Sequence, residues 1–152
     1  MMARKPDCTT NRQTCLIIVG LAFVFLLAAC ERHMTLTVTK DSNPPSFKFS
    51  GSGELIFLVL FERTADKPSS VDDPVMWKIR PAEDTRVYKL PEITYGVVPA
   101  GFTQIEPASG SPPPLLEGKT YEFGGPNYNA PGGWTRFTIK NGKAVVIASG
   151  RT

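Results

Sequence analysis

The chain has 152 residues, 41% of them hydrophobic and 20% charged, with 17 Lys+Arg, 14 Asp+Glu and one histidine, for a formal net charge of +3. That length suits one domain with a substantial core, and the near balance of charge gives no nucleic-acid footprint. With 14 prolines and 13 glycines, turns rather than long helices punctuate the sequence.

The N-terminus is basic and polar, with Arg4, Lys5 and Arg12 against Asp7. An uncharged apolar run follows, from Leu16 to Ala29. As a helix it would rise about 21 Å against about 30 Å of hydrocarbon, short for a stable membrane span. The run closes on Leu27-Ala28-Ala29-Cys30. A basic segment, an apolar segment, small residues and then cysteine resemble the signal peptide and lipobox of bacterial lipoproteins. The resemblance implies cleavage between Ala29 and Cys30, a diacylglycerol on the Cys30 thiol and acylation of the new N-terminus. A plain apolar anchor, or a secretory signal cut after Ala28 or Ala29, are the other readings. Glu31, not aspartate, follows the cysteine, so in a host with two membranes the family pattern implies outer-membrane sorting, with the domain facing the periplasm. Two or three acyl chains anchor durably, at about 0.8 kcal/mol per buried methylene. The body then needs no membrane-binding surface of its own.

Cleavage would remove Cys8 and Cys15 and acylation would occupy Cys30, leaving no disulfide and no thiolate metal site in the mature domain. Residues 30–152 carry 14 Lys+Arg against 13 Asp+Glu, so the leader accounts for much of the basic balance. Residues 30–34 read as a short lipidated tether and 35–152 as the folded domain.

The domain reads as strands. Thr35 to Thr39 alternates with period two, Asp41 to Pro45 is a turn, and Ser46 to Ser50 alternates again with Phe47 and Phe49 on one face. After Gly51-Ser52-Gly53, the run Leu55 to Phe61 is the most apolar of the domain, which predicts one central strand covered on both faces. Thr64 to Pro74 is a polar loop. Val75 to Arg80 is a strand with Trp77 and Ile79 on one face, and Pro81 to Thr85 turns the chain. Arg86 to Leu90 and Ile93 to Val98 are predicted strands. Pro99 to Phe102 reads as a turn and Pro107 to Pro114 as a loop. Tyr121 to Phe123 begins another strand, and Gly124 to Gly133 is a loop rich in Gly, Pro and Asn. Asn141-Gly142 between Trp134–Lys140 and Lys143–Ser149 is the strongest hairpin signal, because both residues accept the positive φ of a type I′ turn. About eight short strands without helical periodicity predict an all-β sandwich.

Leu115, Gly118 and Tyr121 stand three residues apart, with Glu117 between the first two. This spacing resembles the tyrosine corner of fibronectin type III and other immunoglobulin-like sandwiches. The resemblance implies that the Tyr121 hydroxyl bonds back to the upstream backbone at the crossover between sheets.

Parts for catalysis are few. His33 is the only histidine and lies three residues from Cys30, which argues against a Ser-His-Asp triad. It reads as a solvated spacer. Asp72-Asp73 lacks the spaced carboxylate set of a calcium site, and with Glu83-Asp84 it reads as solvated loop. Gly124-Gly125 and Gly132-Gly133 precede no lysine-serine and no helix start, so they make no phosphate loop. No cofactor or metal is expected, and no enzymatic activity. The candidate binding residues are Tyr128, Asn129 and Trp134, in a loop whose Tyr, Asn and Gly content resembles binding loops. A plain strand connection, with Trp134 packed inward, is the competing reading.

The expected role is a lipid-anchored, non-catalytic module held at the membrane through Cys30 and engaging another envelope protein. The alternative is a glycan- or small-ligand-binding module using the 124–134 loop.

Overall fold

A computed structural model describes residues 33–63 and 73–152. The leader, Ala29, Cys30 and Asp72 lie outside the described residues. Among the described residues no helix is long and apolar enough to cross a membrane.

The fold is all-β. In chain order the strands are β1 (Thr35–Lys40), β2 (Ser46–Ser50), β3 (Glu54–Leu55), β4 (Leu58–Arg63), β5 (Val75–Pro81) and β6 (Thr85–Arg86). They continue with β7 (Ile93–Thr94), β8 (Phe102–Glu106), β9 (Thr120–Gly125), β10 (Asn127–Tyr128), β11 (Gly133–Lys140) and β12 (Lys143–Arg151). A six-stranded antiparallel sheet runs β12-β11-β9-β4-β5-β8, a three-stranded sheet runs β1-β2-β7, and a small ribbon runs β10-β3-β6.

The sandwich-like core lies between the first two sheets. Alternation in β2 buries Phe47 and Phe49 while Lys48 stays in solvent. Phe47 meets Phe123 of β9 with ring centroids 4.5 Å apart and Phe137 of β11 at 5.6 Å. From β5, Trp77 and Ile79 are wholly buried, and Trp77 stacks on Phe123 at 6.1 Å. Each aromatic contact adds about 0.5–1.5 kcal/mol to the burial of its area. The indole Nε1 of Trp77 donates to Gln104 Oε1 of β8 at 3.0 Å, so this buried polar group has its partner.

The β11–β12 hairpin forms as its sequence predicts. Asn141 has φ 53° and Gly142 φ 68°, both in the left-handed region a type I′ turn needs. Glu117 steadies the turn, its carboxylate accepting from the backbone N–H of Asn141 at 2.6 Å and of Gly142 at 3.2 Å.

Several expectations need correction. The run Leu55 to Phe61 is not one strand. Leu55 belongs to the ribbon, where it pairs with Thr85 and Asn127, whereas Leu58 begins the central β4. Between them the Ile56 N–H donates to the Pro126 carbonyl at 3.1 Å, so the chain steps from one sheet to the next. Arg86 to Leu90 is mostly a 3-10 turn, Val87–Lys89, anchored by fully buried Val87 and closed by Leu90 N–H to Val87 O at 3.1 Å. Of the expected strand Ile93 to Val98 only β7 remains, because Gly96 at φ 78° lets the Val97 N–H turn back to the Thr94 carbonyl. β8 was not expected, since Phe102 reads as the end of a turn. Met34 is no tether: it is completely buried, and its N–H donates to the Pro131 carbonyl at 3.1 Å.

Candidate binding surface

The loop singled out in the sequence is partly strand. β9 runs on through Gly125, β10 takes Asn127 and Tyr128, and β11 starts at Gly133. Gly125 is required for the close approach: a Cβ there would lie 1.9 Å from the Phe57 carbonyl oxygen. Asn129 takes φ 60°, a left-handed position that asparagine tolerates. Asn127 Nδ2 lies 3.4 Å from each of the Ser52 and Pro131 carbonyls and braces the loop.

The three candidate binding residues do not converge. Tyr128 is 61% exposed and lines a shallow depression with Glu54, Arg80 and Asp84. Trp134 lies in a different recess, on the face of the six-stranded sheet turned away from the core, and neither Tyr128 nor Asn129 lines it. Trp134 does not pack inward either. Its ring lies against the bare Cα of Gly150, where a Cβ would come within 2.6 Å, and its Nε1 donates to the Arg151 carbonyl at 3.1 Å.

That recess is a groove of about 430 Å³. Phe57, Val59 and Phe61 form one side and Trp134 the other, with Gly124 and Gly125 between them. Phe57 and Phe61 went unrecognised as site residues. A period-two reading of 57, 59 and 61 would have placed them on one face, but an unbroken apolar run hides its own alternation. A cation flanks each side: Lys78 Nζ lies 4.2 Å from the Phe57 ring centroid and the Arg136 guanidinium 5.3 Å from the Trp134 ring.

Buried charges lie beside the groove. Glu122 Oε2 accepts from Arg136 Nε at 3.1 Å and Nη2 at 2.7 Å, and Arg63 Nε stands 3.8 Å from the same oxygen. Arg63 also donates to the Asp73 carboxylate. Asp73 is therefore not a solvated loop residue, because its carboxylate closes a pair with an arginine side chain only 2% exposed. Glu83 and Asp84 are exposed, as is His33. Among the described residues no group of three His, Cys, Asp or Glu side chains is placed to hold a metal ion.

β12 ends the large sheet. Val145, Val146 and Ile147 are 44%, 47% and 57% exposed, three large apolar side chains in sequence. The register with β11 shifts between Arg136 and Phe137, which leaves Ile147 as the extra residue of a bulge.

Away from this surface, the Tyr121 hydroxyl accepts a hydrogen bond from the Leu116 N–H at 2.8 Å. Gly118 takes φ 75°, with open space around its Cα. Leu115 is buried in the core. Tyr95 donates its hydroxyl to the Pro113 carbonyl at 2.7 Å. Burial, and then the nearby Tyr121 hydroxyl, push the Tyr95 pKa well above its ordinary value of 10.0. Burial likewise raises Tyr121. In the unfolded chain both phenols ionise near pH 10, while the folded chain keeps its protons to higher pH. The unfolded state then binds fewer protons, so stability is full below about pH 10 and falls as pH rises beyond it. Urea midpoints measured from about pH 8 upward should decline above pH 10, and Tyr95→Phe should shallow that decline.

Comparison with protein-family models, with curated proteins and with solved structures finds no match to this chain.

Proposed function

We propose that the protein is a lipid-anchored cell-envelope component, held through Cys30, whose immunoglobulin-like sandwich is a non-catalytic protein-interaction module. The observation that carries this reading is the run Val145, Val146 and Ile147, exposed on a strand that ends the large sheet. Contiguous exposed apolar surface is a mark of interaction sites. The bond from Leu116 N–H to the Tyr121 hydroxyl supports the immunoglobulin-like assignment, being the contact that a tyrosine corner makes. The order of basic, apolar and small residues before Cys30 supports lipidation and outer-membrane placement.

The test is crosslinking of the native chain in cells, with Cys30→Ala as control. A reproducible protein adduct that disappears in Cys30→Ala is expected. Capture of nothing beyond abundant envelope proteins would count against an interaction role.

A second reading has its own observation. The groove beside Trp134 has the volume and aromatic walls of a small-ligand site. Saccharide or small-molecule binding that Trp134→Ala abolishes and Tyr128→Ala spares would establish it.

A further inference from the structure

The outer edge of β12 has a chemistry that selects its occupant. Among the described residues β11 is the one strand hydrogen-bonded to β12 along Val145–Arg151, while β1 also packs near β12. The turn at Asp41–Ser42 pairs with its first residues, through Ala144 N–H to Asp41 O at 2.6 Å and the bridge from Ser42 to Lys143. No proline interrupts its nine residues, and its one irregularity is the bulge at Ile147. The opposite edge, β8, is five residues long and runs directly into Pro107, a common way of blunting an edge. An open strand edge presents alternating backbone donors and acceptors, which only another extended backbone satisfies in series.

Charge narrows the choice further. From Trp134 to Thr152 the hairpin carries Arg136, Lys140, Lys143 and Arg151 and no acidic residue. Arg136 is engaged by Glu122, and Lys143 by Asp41 in a pair that is about three-fifths exposed on both sides. Among the described residues no ion pair engages Lys140 or Arg151. An apolar centre at Val145–Ile147 therefore sits between the Lys143–Asp41 pair and the cation of Arg151. A second copy of the same hairpin would bring cations to cations, which is unfavourable at a strand pairing.

We propose that β12 is a strand-addition site for an extended segment of a partner protein with β-branched or aromatic residues at its centre and a carboxylate at the end that faces Arg151. The partner's backbone continues the large sheet past β12. Its central side chains cover Val145, Val146 and Ile147, and a terminal acid meets Arg151, since Lys143 already has Asp41 and Ser42 at that edge. This inference rests on the reading of the domain as an interaction module and names the partner class that the module takes.

The test places a photo-crosslinking amino acid, in separate full-length lipidated proteins in the native cell, at Ile147, at Phe57 in the groove and at Tyr88. Tyr88 is 65% exposed and lies on neither surface. Alongside, the purified full chain in detergent is titrated with acetyl-Glu-Thr-Val-Thr-Val-Thr-Glu-amide and with its lysine-ended analogue. The expected result has three parts. The adduct at Ile147 maps to an apolar, acid-ended segment of another protein. The glutamate-ended peptide binds with gain of amide-exchange protection over Val145–Ser149. Ile147→Glu weakens that peptide about tenfold, with an unchanged urea midpoint. Capture at Phe57 alone would overturn strand addition and leave an interaction module that works through the groove. An Ile147 adduct to a second copy of the chain, or equal affinity for the two peptides, would overturn the partner class. No adduct at any position would overturn both readings.

Discussion

Glu122→Ala should lower the unfolding free energy by about 3 kcal/mol, the lower end of the cost of removing one partner from a buried ion pair, because Arg63 keeps Asp73. Glu122 accepts from Arg136 at 2.7 Å and stands in an ion pair with Arg63 at 3.8 Å. The side chain of Arg63 is 2% exposed and keeps Asp73 as its partner, so losing Glu122 removes the second of two carboxylates from a guanidinium that water hardly reaches. Arg136 is 22% exposed at its side chain and can turn outward, so Arg63 bears most of the penalty. Asp41→Asn provides the contrast. It removes an ion pair to Lys143 of similar length, 3.1 Å, but with both side chains more than half exposed. Solvent screening should hold that change to within about 1 kcal/mol. Urea denaturation of the two variants beside the parent checks both values. Equal effects would mean that the Glu122 cluster is hydrated in solution. Because Glu122 also lines the groove, Trp134 fluorescence should shift in Glu122→Ala under native conditions and stay constant in Asp41→Asn.

What was legible in the sequence follows from where the physics is local. In β2, one-sided burial forces apolar and polar residues to alternate, so Phe47, Lys48 and Phe49 announce their faces. Asn141-Gly142 specifies its turn because a type I′ turn needs two residues that tolerate positive φ, and few pairs do. The Tyr121 contact is local as well, since its hydroxyl accepts from a backbone N–H only five residues upstream. The failures share the opposite cause. Nothing within Leu55 to Phe61 says that the chain changes sheets after Leu55, because the step depends on the Pro126 carbonyl and on Gly125, far along the chain. Asp73 reads as solvated until Arg63 is seen across the sheet from it. Tyr128 and Trp134 look like one site in a glycine-rich loop, yet β10 turns Tyr128 toward the ribbon while Trp134 lies on the large sheet. Aromatic composition located a surface loop, but topology decided which of its residues share a recess.

That dependence on a distant glycine gives the second large effect. Gly125→Ala should cost about 3 kcal/mol, at the upper end of overpacking changes, because the new methyl would meet a backbone oxygen rather than a movable side chain. The Phe57 carbonyl stands 1.9 Å from the added Cβ, and the next atom, the Phe57 carbonyl carbon, is at 3.0 Å. Relief requires β9 and the Ile56–Phe57 step to separate, which strains the bond from Ile56 N–H to Pro126 O and displaces one side of the groove. Gly142→Ala separates this steric demand from backbone conformation. At φ 68° an alanine is disfavoured, but nothing lies within 4 Å of its Cβ, so the cost should be that of the left-handed conformation alone, about 1–2 kcal/mol. Gly125→Ala should also speed amide exchange at Ile56 and Leu58, whereas Gly142→Ala should leave those amides as they were. If the two variants lose equal stability and exchange alike, the close approach of Phe57 to Gly125 is absent in solution, and the groove then lacks the wall that Phe57 provides.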